Sequence, residues 1–121
     1  MENVSILLVD DEEEFVKALA ERLSLRGFGV RIAFSGEQAL GRLEEQEPTM
    51  VVLDLKMPGM DGMEVLRRAR KSHPRVAVVM LTGHGSDRDR EEAMRLGAYA
   101  YLQKPVQIDQ LVRLVKDMTS R

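Results

Sequence analysis

Polar side chains with reactive groups stand at or just after the ends of the apolar runs in this sequence. In chain order they are Asp10, Asp11, Asp54, Thr82 and Lys104. Open α/β sheets bind their ligands at the carboxyl ends of the strands. If the apolar runs are strands of such a sheet, three carboxylates, one hydroxyl and one ammonium meet at a single edge.

This set of groups predicts chemistry on a phosphoryl group. Clustered carboxylates repel one another and attract a cation, and oxygen ligands with open positions suit Mg²⁺ with retained waters. Asp54 is the predicted nucleophile, because a carboxylate beside a divalent ion and a lysine is arranged to attack phosphorus. Lys104 would pair with a phosphoryl oxygen, and Thr82 would donate a hydrogen bond to the attached group.

The elements that must position these residues alternate along the chain. The predicted strands are Val4–Val9, Val30–Ala33, Met50–Leu53, Val76–Leu81 and Ala100–Leu102. Three of them are apolar almost throughout, as expected of strands covered on both faces of a parallel sheet. The segments between and after them have helical periodicity. Five strand–helix units predict a three-layer α/β sandwich, (βα)5, around a parallel five-stranded sheet.

Several residues mark the predicted helix ends. Phe15, Ala18, Leu19 and Leu23 form the apolar face of the first helix, which Gly27 and Gly29 end. Ser35 is the predicted N-cap of the second helix, with Gln38 in the reciprocal capping position, and Asp61 caps the third. The fourth helix is predicted over 86–96 and stops at Gly97, and Ile108 begins the apolar face of the fifth.

Composition excludes several function classes. The chain has 121 residues, no cysteine and a formal net charge of −2, which argues against thiolate chemistry and against direct binding of nucleic acid. No apolar run approaches the roughly 20 residues of a membrane span. The N-terminal segment is acidic, unlike an export signal. We therefore expect one cytoplasmic domain over residues 1–121, with no membrane contact.

Four segments resemble the receiver domains of two-component response regulators: LLVDDEEE, VVLDLKMPGMDGMEVL, VVMLTGHGS and LGAYAYLQKP. The resemblance covers essentially the whole chain. It implies a flavodoxin-like sheet of order 2-1-3-4-5. It also implies a phosphorelay signalling role, in which Asp54 accepts a phosphoryl group from a phosphohistidine of a sensor histidine kinase or a phosphotransfer protein.

The resemblance also implies a Mg²⁺ site. The residue matching Asp11 ligates the ion directly, and the residue matching Asp10 usually acts through water. Asp54 and the backbone carbonyl of Lys56 complete the implied protein ligands. The side chains of Lys56 and His84 match positions that tune the lifetime of the phosphoryl group.

Further roles follow from the same resemblance. Thr82 and Lys104 match the phosphoryl-binding pair, and the bond before Pro105 matches a peptide bond that is often cis. Tyr101 matches an aromatic residue that turns inward when the threonine moves. A downstream protein or output domain would then read the face formed by the fourth helix, fifth strand and fifth helix. The sequence does not distinguish a monomer from a homodimer. It also does not distinguish a stand-alone regulator from the receiver of a longer protein.

Two other function classes fit less well. An aspartate-nucleophile phosphatase would need a second carboxylate two residues after Asp54, where this chain has Lys56. A flavin or nucleotide module would need a glycine-rich loop after the first strand, where Asp10 and its acidic neighbours would repel phosphate. Glu12, Glu13 and Glu14 are expected to be solvated charges at a helix start, His73 to end a helix, and Asp61-Gly62 to serve capping.

Overall fold

The computed structural model of the protein describes residues 4–120, so residues 1–3 of the acidic N-terminal segment and residue 121 lie outside it. Its strands are β1 (Ser5–Val9), β2 (Gly29–Ala33), β3 (Met50–Leu53), β4 (Ala77–Thr82) and β5 (Ala100–Gln103). Its helices are α1 (Glu13–Leu25), α2 (Gly36–Glu45), α3 (Gly62–Ser72), α4 (Asp87–Arg95) and α5 (Ile108–Thr119).

The five strands form one parallel sheet in the order β2-β1-β3-β4-β5. The predicted fold class and strand order are confirmed, and each predicted strand end lies within one residue of the observed one. β1 and β3 lie side by side at the centre, with Val9 paired to Leu53. The residues that follow these two strands therefore emerge next to each other. No helix within residues 4–120 is long and apolar enough to cross a membrane.

Each face of the sheet carries its own apolar core, because successive side chains of a strand point to opposite faces. Leu7 and Val9 of β1 pack in the cluster that also contains buried residues of α2, α3 and α4. Ile6 and Leu8 pack in the cluster with buried residues of α1 and α5. These two clusters make the three-layer sandwich and hold the strand ends in place.

Two details of the predicted helices were wrong. Ala18 is exposed, and Val16 is buried in α1 instead, because the helix turns Val16 toward the sheet. The Gln38 side chain accepts a hydrogen bond from the amide of Phe34, at 2.9 Å, rather than from the amide of Ser35. The predicted cap by Ser35 is confirmed, since its hydroxyl accepts from the Gln38 amide at 3.1 Å.

The start of α3 packs directly on the segment that carries Asp54. Asp61 caps the helix as predicted, accepting a hydrogen bond from the Glu64 amide at 3.1 Å. Gly62 has a further role, because its amide donates to the Leu55 carbonyl oxygen at 2.9 Å and a Cβ there would overlap the Asp54 carbonyl oxygen. A side chain at position 62 would therefore displace the backbone next to Asp54.

A pair of glycine substitutions tests this packing. Gly62→Ala should lower the free energy of unfolding by about 1–3 kcal/mol, the cost of overpacking a filled site. Gly41→Ala is the control, because Gly41 lies within α2 with no atom near the added Cβ, and it should raise stability by about 0.5–1 kcal/mol. Urea unfolding followed by circular dichroism measures both. Equal effects of the two substitutions would contradict the close approach at Gly62.

Candidate functional site

Backbone hydrogen bonds continue past the ends of the strands and fix the residues that follow. The Asp54 amide donates to the Val9 carbonyl oxygen at 3.0 Å. This bond holds Asp54 beside Asp10, the residue that follows Val9. The Lys104 amide donates to the Thr82 carbonyl oxygen, also at 3.0 Å. Asp10, Asp54, Thr82 and Lys104 are thus placed at one edge by four neighbouring strands.

Three carboxylates converge at this edge. Asp10, Asp11 and Asp54 each offer one oxygen, and these oxygens all lie within 4.8 Å of one another. Asp10 and Asp54 are buried, at 4% and 6% exposure, while Asp11 is exposed. This set fits a hard divalent cation, because its donors are all carboxylate oxygens and the exposed side leaves room for water.

The Asp54 carboxylate lies in an environment that disfavours its charge. Burial is the main cause that raises its pKa, and the nearby charge of Asp10 raises it further. Lys104, the Thr82 hydroxyl and the Leu55 backbone partly offset these effects. A cation bound at this site would therefore stabilise the ionised form of Asp54.

Lys104 brings the positive charge to this edge. Its ammonium donates to Asp10 Oδ2 at 2.8 Å and to Glu12 Oε1 at 2.6 Å, and it lies 4.4 Å from the centre of the Phe15 ring. Burial alone would lower the pKa of Lys104, but the bonds to the two carboxylates outweigh burial and raise it. The side chain therefore carries its charge at neutral pH.

Sequence reasoning missed two partners of this lysine. Glu12 is an exposed charge at the start of α1 as expected, but its carboxylate also pairs with Lys104, and this contact is the main cause of its lowered pKa. Phe15 was assigned to the apolar face of α1, yet its ring also covers the ammonium. No sequence signal separates Glu12 from Glu13 and Glu14, since only the direction in which α1 leaves the sheet decides which of them reaches Lys104.

Thr82 and Tyr101 lie next to each other below the loop between β4 and α4. Thr82 is fully buried, and its hydroxyl oxygen accepts a hydrogen bond from the His84 amide at 3.2 Å. The Tyr101 hydroxyl is buried without a hydrogen-bond partner in residues 4–120, and burial raises its pKa. A Cβ on Gly85 would overlap this hydroxyl and approach the Thr82 methyl group, so glycine at 85 leaves room for the inward ring.

The remaining predicted site residues lie around this centre. The Lys104–Pro105 peptide bond is cis. The side chains of Lys56 and His84 are exposed, two residues beyond Asp54 and Thr82 respectively. They stand at the rim of the site, so their influence on a bound group stays a prediction. The role of the Lys56 carbonyl as a metal ligand also stays a prediction.

Comparison with known families decides the class of the protein. Residues 6–116 match the family model of the response regulator receiver domain. The chain belongs to this family. Receiver domains are signalling modules rather than conventional enzymes, and the sheet order and the Asp cluster agree with this membership.

Three receiver-containing proteins illustrate the similarity. The transcriptional regulatory protein CpxR of Escherichia coli is 40% identical over 116 residues, which is 96% of this chain and 49% of CpxR. A CheY-like receiver domain of Methanospirillum hungatei superimposes with a TM-score of 0.93 at 29% identity, covering 98% of this chain and 96% of that one. A Burkholderia pseudomallei response regulator, solved with a phosphorylated aspartic acid and a calcium ion, gives 0.89 at 25% identity, covering 98% and 70%.

This receiver spans about a quarter to a half of the length of the curated relatives that it matches. The relatives therefore contain regions with no counterpart in the sequence described here.

Replacing the buried carboxylate tests the electrostatics of the site. Asp54→Asn should stabilise the metal-free receiver at pH 7, because a raised pKa means that folding disfavours the ionised form. The wild type loses stability as pH rises from the ordinary Asp pKa of 3.8 through the higher value in the folded protein. The advantage of Asn should therefore vanish below about pH 4.

Urea unfolding across this pH range, with a chelator present, measures the difference. Asp61→Asn is the control, because Asp61 is an exposed N-cap outside the cluster and asparagine caps equally well. A constant difference between Asp54→Asn and wild type from pH 3 to pH 7 would contradict the assigned cause.

Proposed function

We propose that this chain is a phosphoacceptor receiver in which Asp54 takes a phosphoryl group from the phosphohistidine of a sensor histidine kinase or a phosphotransfer protein. The observation that carries this proposal is the position of Asp54. Its carboxylate is buried and belongs to a cluster of three carboxylates, and the Lys104 ammonium forms an ion pair with the neighbouring Asp10.

The reaction is a transfer between two nucleophiles. An oxygen of Asp54 forms a bond to phosphorus while the bond between phosphorus and the imidazole nitrogen breaks, and its electron pair returns to the donor histidine. Lys104 neutralises charge on a phosphoryl oxygen, and Thr82 donates a hydrogen bond to another. Both groups already stand at the same sheet edge as Asp54, with Thr82 at the end of the neighbouring strand β4 and Lys104 directly after β5.

The carboxylate cluster suits the Mg²⁺ that receiver domains use. Asp10, Asp11, Asp54 and the Lys56 carbonyl are the groups that would hold it. When bound, the ion supplies positive charge that offsets the repulsion among the carboxylates and the phosphoryl oxygens. The Burkholderia response regulator, which was solved with a phosphorylated aspartic acid, supports an aspartate as the acceptor.

Lys56 argues against a phosphatase, because a phosphatase of this kind needs a carboxylate two residues after the nucleophile. The absence of a glycine-rich loop after β1, together with the acidic Asp10-Asp11-Glu12 segment, argues in the same way against a nucleotide module. We assign residues 1–121 to one cytoplasmic receiver domain that neither enters a membrane nor binds nucleic acid directly. A homodimer through its own surface stays open.

The proposed output is a change in the face formed by α4, β5 and α5. Phosphorylation adds charge and acceptor oxygens at Asp54, which would draw Thr82 and the following loop toward it. The expected inward turn of Tyr101 is already present without a phosphoryl group, because its hydroxyl lies buried beside Thr82. Phosphorylation would hold the ring in this position and so fix the face that a partner protein or output domain reads. Lys56 and His84 would adjust how long the phosphoryl group persists.

A small phosphodonor tests the acceptor. With acetyl phosphate and Mg²⁺, the wild type should gain one acid-labile phosphoryl group. Acetyl phosphate can replace the kinase as donor, because the receiver's own residues around Asp54 promote the transfer. Asp54→Ala should gain none. Intact-mass measurement before and after acid treatment decides the result, and equal uptake by both proteins, or by neither, would overturn the assignment.

Substitution of Tyr101 separates the chemistry from the output. Tyr101→Ala should leave phosphoryl uptake from acetyl phosphate intact, because the Tyr101 hydroxyl lies at Gly85 and Thr82 and is not part of the carboxylate cluster. It should also reduce the phosphorylation-dependent change in amide hydrogen exchange across α4 and β5. Tyr101→Phe keeps the ring and should preserve this change. Loss of uptake in Tyr101→Ala would contradict the division of roles.

A further inference from the structure

We propose that Glu12 is a positioning residue that retains the Lys104 ammonium at the α1 side of the site, so that phosphorylation of Asp54 must exchange this contact for a phosphoryl oxygen. The inference rests on the proposed function. It concerns a residue outside the carboxylate cluster, and it assigns Glu12 a restraining effect on the reaction.

The contacts of the ammonium lead to this role. Within residues 4–120, its ion pairs shorter than 4.0 Å are those to Asp10 and Glu12, and none reaches an oxygen of Asp54. The Phe15 ring occupies a further side of the ammonium at 4.4 Å. Since a lysine ammonium has three donors, two of them are already engaged away from the acceptor.

The two carboxylate partners differ in how easily they release the lysine. Asp10 is buried, and its other oxygen accepts a hydrogen bond from the Glu12 amide at 2.9 Å, so its position is set by the backbone. The Glu12 side chain is 64% exposed and can turn into water without leaving a buried charge behind. Glu12 is therefore the reversible partner.

The strength of such a contact sets the size of its effect. Exposed ion pairs contribute modestly to stability, because water and salt screen them and both side chains lose freedom. A doubly charged phosphoryl group close to Lys104 offers a stronger partner than one carboxylate. Glu12 should therefore slow and weaken phosphoryl binding by a small factor without preventing it.

Glu13 provides a matched control. It is the next residue of the chain, carries the same charge and is also exposed, but its carboxylate faces Lys17 at 3.7 Å instead of Lys104. Neutralising Glu13 thus changes the overall charge and the charge at the start of α1 as much as neutralising Glu12 does. The two substitutions therefore differ in the lysine that loses its partner, Lys104 for Glu12 and Lys17 for Glu13.

The first experiment compares Glu12→Gln with Glu13→Gln in the full chain. Glu12→Gln should raise the initial rate of phosphoryl uptake from acetyl phosphate about two- to fivefold above Glu13→Gln, which is the range expected for losing one exposed ion pair. The affinity for beryllofluoride, an analogue of the phosphoryl group, should rise by a similar factor. Equal or lower values in Glu12→Gln would overturn the proposal.

The second experiment observes the contact itself in metal-free protein. The ¹⁵N-detected ammonium signal of Lys104 should show faster hydrogen exchange in Glu12→Gln than in wild type, while Glu13→Gln leaves it unchanged. Unchanged exchange in Glu12→Gln would overturn the proposal. Failure of the wild type to take up a phosphoryl group would instead overturn the proposed function, and the role of Glu12 with it.

Discussion

Repulsion between the buried carboxylates of Asp10 and Asp54 is the constraint on which the rest of this site depends. Neighbouring parallel strands hold the two residues side by side, because the Asp54 amide is bonded to the Val9 carbonyl oxygen, and the close approach of Gly62 braces the segment from the other side. The two carboxylates cannot move apart without breaking the backbone hydrogen bonds between β1 and β3 and the bond from the Asp54 amide to Val9. The charge must therefore be balanced by a cation, and Lys104 supplies one from the end of β5.

The same sheet edge links the acceptor to a distant face. Lys104 follows β5, and Tyr101 lies within it, while Thr82 ends β4. A change of charge at Asp54 would therefore act on the two strands that lead into α4 and α5. Under the proposed function, the chemistry at one edge and the output face need no long pathway, because three adjacent strands connect them directly.

Much of this arrangement could be predicted from the chain alone. Strands buried on both faces have continuous apolar runs, so their ends were located within one residue, and the residues after them were correctly placed at one edge. Helix faces were less certain, because the alternatives at Ala18 and Val16 differ by half a turn and only packing selects between them. Gly62 was assigned to capping alone, since its approach to the Asp54 backbone joins two segments that periodicity treats separately.

The sequence by itself determined the parallel (βα)5 sandwich, the set of reactive groups and the edge at which they meet, because these follow from apolar patterning and from the residues adjacent to strand ends. The strand order followed from the resemblance to receiver domains. Tertiary structure decided which charges touch. The direction of α1 brings Glu12 and Phe15 to Lys104 and turns Glu13 toward Lys17. Glu12 and Glu13 look alike in the sequence, and only the angle at which the helix leaves the sheet gives them different lysine partners.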